Sequence, residues 1–159
     1  MSTRAQQLAD QTDNAINQTI AFVESIPEEK WTVLCGPEQC TVAALASHVA
    51  GSATGVLNFL VKPVAQGESP LPITPEQIHA GNAENARTNA NRSRSEVLAD
   101  LRANGAEASS YVRRLSDDEL QRSAVLFFSP EPVTADFIIE NVLVNHSLEH
   151  LESMRAAVQ

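Results

Sequence analysis

The stretch NHSLEHLESMR, residues 145–155, decides how the chain is read. His146 and His150, two of only four histidines, stand four residues apart in a segment of helical pattern. Positions i and i+4 of a helix are neighbours, with Cβ atoms about 5–6 Å apart. Two imidazoles so placed can point at one metal ion with nitrogen bonds of about 2.0–2.1 Å. His146 is seven residues from Ile139 and His150 seven from Leu143, which puts both on the core-facing stripe. Taken alone, the pair reads equally as two hydrogen-bonded core or rim histidines, since a buried polar group needs a partner. A zincin reading is excluded, because it requires Glu at position 147, where Ser147 stands.

Outward from this stretch the helical pattern continues. Thr134 is placed to cap the last helix, which runs to about Ala157 with Phe137, Ile138, Val142, Leu143, Leu151 and Met154 on its apolar side. A first helix is predicted over Thr3–Ser25, opened by a Thr3/Gln6 capping box and ended by Pro27. Residues 27–40 form a connector whose Trp31 plugs the bundle end. Thr41 opens a second helix, with Leu45, Val49, Val56 and Leu60 on its apolar face and Pro63 as its stop. The Pro- and Gly-rich residues 63–75 form a long crossing loop. Thr74, Pro75 and Gln77 make a strong helix start. The third helix is expected to run unbroken to about Leu115, with Ala83, Ala86, Ala90, Val97, Leu101, Ala108 and Val112 inward and a kink at Gly105. Ser116–Glu119 begins a short extra turn, and 123–133 admits a short extended piece. The sum is an all-α four-helix bundle with a long crossover connection, forming one domain over residues 1–159.

An apolar content of 43% in 159 residues provides for a hydrophobic core. The net charge of −9 argues against nucleic acid or an anionic membrane as partner, since both call for basic surfaces. The first residues lack the pattern of a secretory signal, and no apolar run approaches the roughly 20 residues that span a bilayer. A cytoplasmic protein is the expectation. Cys35 and Cys40, four residues between them and no second pair, do not make a zinc ribbon. They read as small, partly buried residues, with a ligand or redox role, through Cys40 above all, as the alternative.

His48 completes the pattern. It follows Leu45 by three residues in ALASHVAGS and shares its apolar stripe, with Gly51, Ser52 and Gly55 leaving room nearby. Three of four histidines then lie on inward stripes of two helices. His48, His146 and His150 can supply three nitrogen ligands and leave coordination positions open, as a catalytic metal site requires. A di-iron bundle is excluded, because its Glu-x-x-His motifs would place Glu where Leu45 and Leu143 stand. His79 reads as solvated. Ser47, Asn145 and Glu149 are candidates for the surroundings of the ion by adjacency alone, and no residue is singled out as catalytic.

With these residues in view, the chain resembles the DinB-like superfamily of helical bundles. The resemblance rests on TVAALASHVAG at 41–51 and VNHSLEHLESMR at 144–155, and on the spacing between them. This chain carries Cys40 where the family often has Trp. The resemblance implies a bundle with a crossover, often a homodimer. It implies one divalent ion, zinc or nickel, on His48, His146 and His150. It also implies an activity of the kind found in thiol-dependent branches, in which the metal activates a low-molecular-weight thiol for S-transfer or isomerisation of a small-molecule substrate. The competing expectations are a non-catalytic metal- or small-molecule-binding module of a stress response, and a structural dimeric bundle without metal.

Overall fold

The computed structural model describes residues 2–159. Helix α1 (Thr3–Ser25) opens on Ser2, whose hydroxyl accepts from the Ala5 amide. A short connector holds a one-turn 3₁₀ segment and the two-residue strands β1 (Leu34–Cys35) and β2 (Cys40–Thr41). Helix α2 (Val42–Ala65) follows directly, capped by Thr41. Helices α3 (Pro75–Thr88) and α4 (Arg94–Arg113) come next, then the short α5 (Asp117–Gln121). An antiparallel hairpin of β3 (Ser123–Leu126) and β4 (Ser129–Thr134) leads into the last helix, α6, over 135–157.

Four long helices, α1, α2, α4 and α6, enclose the core. Tie points along them set their directions. Arg94 donates to the Val23 and Ile26 carbonyls at one end of α1, and Arg113 pairs with Asp10 and Asp13 toward the other, so α1 and α4 are antiparallel. Thr41 meets the Ala90 carbonyl, Asn104 the Ala50 carbonyl and Lys62 the Glu107 carboxylate, so α2 and α4 run the same way. Arg4 pairs with Asp136, and Arg155 reaches Gln18, so α1 and α6 are also parallel. The order is up, down, down, up. Two successive parallel helices demand a connection that returns the full length of the bundle, and residues 66–93 supply it, with α3 as the returning helix along α2. Asn85 Nδ2 donates to the Ala44 carbonyl at 2.9 Å and holds it there.

The core is aliphatic. Leu8 and Val23 of α1, Leu45 and Leu57 of α2, Leu101 and Val112 of α4, and Ile138, Leu143, Leu151 and Met154 of α6 are all essentially buried. Alanines 43, 44, 46, 50 and 53 are fully buried in α2 and let its neighbours approach closely. Trp31 is buried at the bundle end as expected, and its Nε1 donates to the Arg92 carbonyl at 2.9 Å.

Several expectations need correction. The first helix is capped by Ser2, one residue earlier than Thr3. The third helix is two helices, broken at 89–93, where Asn89 ends α3 and the Ser93 hydroxyl caps α4 by accepting from Glu96 N. No residue of α3 is fully buried: Ala83 is exposed, and Ala86 in α3 and Ala90 in the break beyond it are half-buried, so these alanines form no core stripe. Gly105 does not kink α4, which is continuous through it; a Cβ there would stand 2.7 Å from Ile16 Cγ2, so glycine permits the contact of α1 with α4. Pro63 does not end α2. The turns before it, Leu57–Val61, widen to a π-helix, and Lys62 N bonds Leu57 O, a wider closure that accommodates a residue lacking its own N–H. α2 is thereby long and apolar enough to cross a membrane by length and composition, yet more than half of that window is buried inside the bundle. Phe137 is exposed.

Candidate metal centre

Two helices and one tight turn build the site. His48 lies in the second turn of α2, on the side facing α6. In α6 the segment Ile138–Asn145 is also π-helical and ends at His146, after which ordinary α geometry carries His150 onto the same face four residues on. The two helices are antiparallel neighbours, so residues 98 apart in sequence meet: His48 Nε2 is 3.4 Å from His146 Nε2. His146 Nε2 is 2.9 Å from His150 Nε2. One ring nitrogen of each of the three lies within 4.8 Å of the others.

The turn between β1 and β2 contributes a residue that the sequence reading did not single out. Gln39 adopts a left-handed φ of 55°, its amide bonds the Cys35 carbonyl, and the turn closes tightly. That places Glu38 Oε1 3.2 Å from His150 Nδ1. The carboxylate accepts the Nδ1–H, which leaves the Nε2 lone pair of His150 aimed at the other two histidines. Of the neighbours chosen by adjacency, Ser47 lines the same cavity, whereas Asn145 and Glu149 are exposed and do not line it. Ser52 Oγ lies 3.4 Å from His48 Nε2. His79 is exposed, as expected.

The electrostatics keep His48 and His146 uncharged. Burial first, then the neighbouring His150 and His146, push the His48 pKa down to about 4. Burial and His150 lower His146 as well. Neutral imidazoles offer lone pairs, but protons alone satisfy the cluster badly. Nε2 of His146 faces two ring nitrogens and carries at most one hydrogen. A divalent cation resolves this by accepting all three lone pairs. Nitrogen ligands at about 2.0–2.1 Å stand about 3.3 Å apart around a tetrahedral ion and about 2.9 Å apart around an octahedral one. The observed 3.4 and 2.9 Å fall at these spacings, and all three nitrogens lie within 4.8 Å of one another, close enough for one ion to be held among them. A cavity of about 770 Å³ opens beside the cluster, walled largely by apolar side chains such as Phe59, Leu60, Ile73, Ile78 and Phe127.

Cys35 and Cys40 are register partners across β1 and β2, free and buried. Burial pushes the Cys35 thiol up to about 12 and raises Cys40 too. Thiols held protonated in this way are poor nucleophiles and poor ligands, which agrees with their reading as small buried residues.

Fold and site together define a helical bundle with an up-down-down-up crossover and a three-histidine cluster at the mouth of an apolar cavity. The model of the DinB superfamily matches residues 11–154, and the chain belongs to that superfamily. The chain is also similar in fold to YfiT from Bacillus subtilis, at 16% identity and a TM-score of 0.75, over 99% of this chain and 87% of that one. YfiT is described as a probable metal-dependent hydrolase with an unusual four-helix bundle topology. No match is found among curated proteins.

Proposed function

We propose that the chain is a metal-dependent enzyme in which His48, His146 and His150 hold one divalent ion, zinc or nickel, and that it transfers or isomerises a small substrate with the help of a low-molecular-weight thiol. The observation that carries this reading is the convergence of three Nε2 atoms, of which that of His146 faces both others and can donate to only one. Such an ion lowers the pKa of a bound thiol or water and so supplies a nucleophile at neutral pH. The protein's own groups do the rest. Glu38 orients His150 through Nδ1, and its second oxygen, Oε2, is buried without a partner. Glu38 is the one carboxylate lining the cavity, which places it to take the proton that the nucleophile gives up. The apolar walls give the apolar part of an electrophile a surface to pack against.

A second reading is hydrolysis, with water in place of the thiol; the likeness to YfiT, itself described as a probable hydrolase, favours it. Metal analysis of purified, metal-repleted protein tests the common premise. One equivalent per chain, lost in His48→Ala and His150→Ala, is expected; a wild type that retains no metal removes it. Turnover of electrophiles with and without added thiols then separates the two readings.

A further inference from the structure

We propose that the cavity beside the histidines selects a neutral, largely apolar organic molecule, which lies across Gly51 and Gly55 and turns one polar group toward Ser47. This names the substrate class of the site proposed above and relies on that reading only for what happens at the reacting end.

The first observation is the pair of glycines. Both sit within the α-helical part of α2, on the stripe of His48, and both line the cavity. Neither has a left-handed φ, and a Cβ built on either meets nothing within 4 Å. Backbone conformation and packing therefore do not call for glycine at either position, in contrast to Gly105. Each weakens the helix by about 0.8–1.0 kcal/mol relative to alanine. What the missing side chains leave is room, between His48 and the apolar wall of Phe59 and Leu60.

The second observation is independent. Ser47 is 5% exposed, lines the same cavity, and its buried Oγ has no hydrogen-bond partner. Buried hydroxyls elsewhere in the bundle bond the carbonyl four residues back: Thr12 to Leu8, Thr19 to Ala15, Ser147 to Leu143. Ser47 makes no such bond; its Oγ is closed off from solvent, so it meets a ligand once the side chain turns toward the cavity, and the ligand then supplies the partner that a buried polar group requires.

The third is charge. Among the described residues no Lys or Arg lines the cavity, and its one carboxylate is Glu38. Away from the ion proposed on the histidines, an anionic molecule would lose its hydration with no protein cation to receive it, within a chain of net charge −9. Neutral apolar molecules gain from burial at about 25 cal/mol per Å².

The test uses Nile red, a neutral apolar dye, and its displacement by two ligands of equal chain length, 1-octanol and octanoate, on both metal-free and zinc-loaded protein. One dye per chain is expected, displaced in the metal-free protein by octanol at concentrations at least tenfold lower than by octanoate. Gly55→Leu, whose added side chain enters open space, is expected to weaken the dye at least tenfold, and Ser47→Ala to weaken octanol about threefold, the loss of one hydrogen bond. Octanoate competing as well as octanol, or Gly55→Leu binding dye like wild type, overturns the proposal. Because these readouts do not need zinc, they stand or fall separately from metal analysis, which decides the reading of the histidines.

Discussion

Glu38 Oε1 lies 3.2 Å from His150 Nδ1, joining a turn between two minimal strands to a ring on the last helix, 112 residues away. Partners of this kind fix the tautomer of a metal-ligating histidine, and their loss costs about 10–100-fold in metal affinity. Glu38→Ala is therefore expected to weaken zinc binding by that factor while circular dichroism stays unchanged. Chelator competition measures it; wild-type affinity in the variant would show that the contact plays no part in holding the ion.

Metal removal should register in stability. A ligand at 100 times its Kd stabilises the native state by about 2.7 kcal/mol. For a domain of this size that is a rise of about 5–10 °C in Tm. Thermal scans with zinc and with chelator should differ by this amount in wild type and coincide in His146→Ala.

The glycines of α2 and α4 should respond in opposite directions. Gly105→Ala forces a methyl to within 2.7 Å of Ile16 Cγ2, and Cγ1 and Cβ of the same β-branched residue are also close, at 3.1 and 3.3 Å. Overpacking of this kind costs about 1–3 kcal/mol, more than the helix propensity gained. Gly51→Ala and Gly55→Ala meet no atom and should gain up to about 1 kcal/mol each. Urea titrations of the three variants check the signs.

Thiol reactivity should be silent in the native state. With Cys35 raised to about 12 and Cys40 raised in the same direction, both by burial, little thiolate exists at pH 8. Iodoacetamide is expected to label neither residue in the folded protein and both in denaturant. Rapid native labelling of Cys40 would restore a redox or ligand role for it.

Trp31 should anchor the break between α3 and α4. Trp31→Phe keeps the apolar bulk but removes the donor to the Arg92 carbonyl, a loss of about 1 kcal/mol. Amide exchange should accelerate locally around 89–93.

The bundle was legible because four caps and three aliphatic stripes carry local signals. Thr41, Thr74, Ser116 and Thr134 each accept the amide that their position promises. The break in the third helix was written there too, in Asn89 and Ser93, but the alanines on either side kept the helical period going and obscured it. Alanine marks a face without guaranteeing burial: Ala83 is exposed and Ala86 only half-buried. Pro63 misled because a proline stops a helix only when the preceding turns stay α-helical, and here they widen. The histidine cluster was readable from spacing, whereas Glu38 was not. It reaches His150 through a turn held by a left-handed Gln39, which leaves no periodicity to read.

The 98 residues that separate His48 from His146 have a kinetic consequence. A chain in which α1, α2 and α4 have associated, but α6 has not, presents a single imidazole and has no cluster to fill. The cluster assembles only as the last helix docks, itself one of the longest-range and slowest contacts of folding. An ion bound there reports when that docking occurs: with α6 docking after the rate-limiting step, zinc is expected to lower the unfolding rate and leave the folding rate unchanged, whereas a folding rate that rises with zinc places α6 in the transition state.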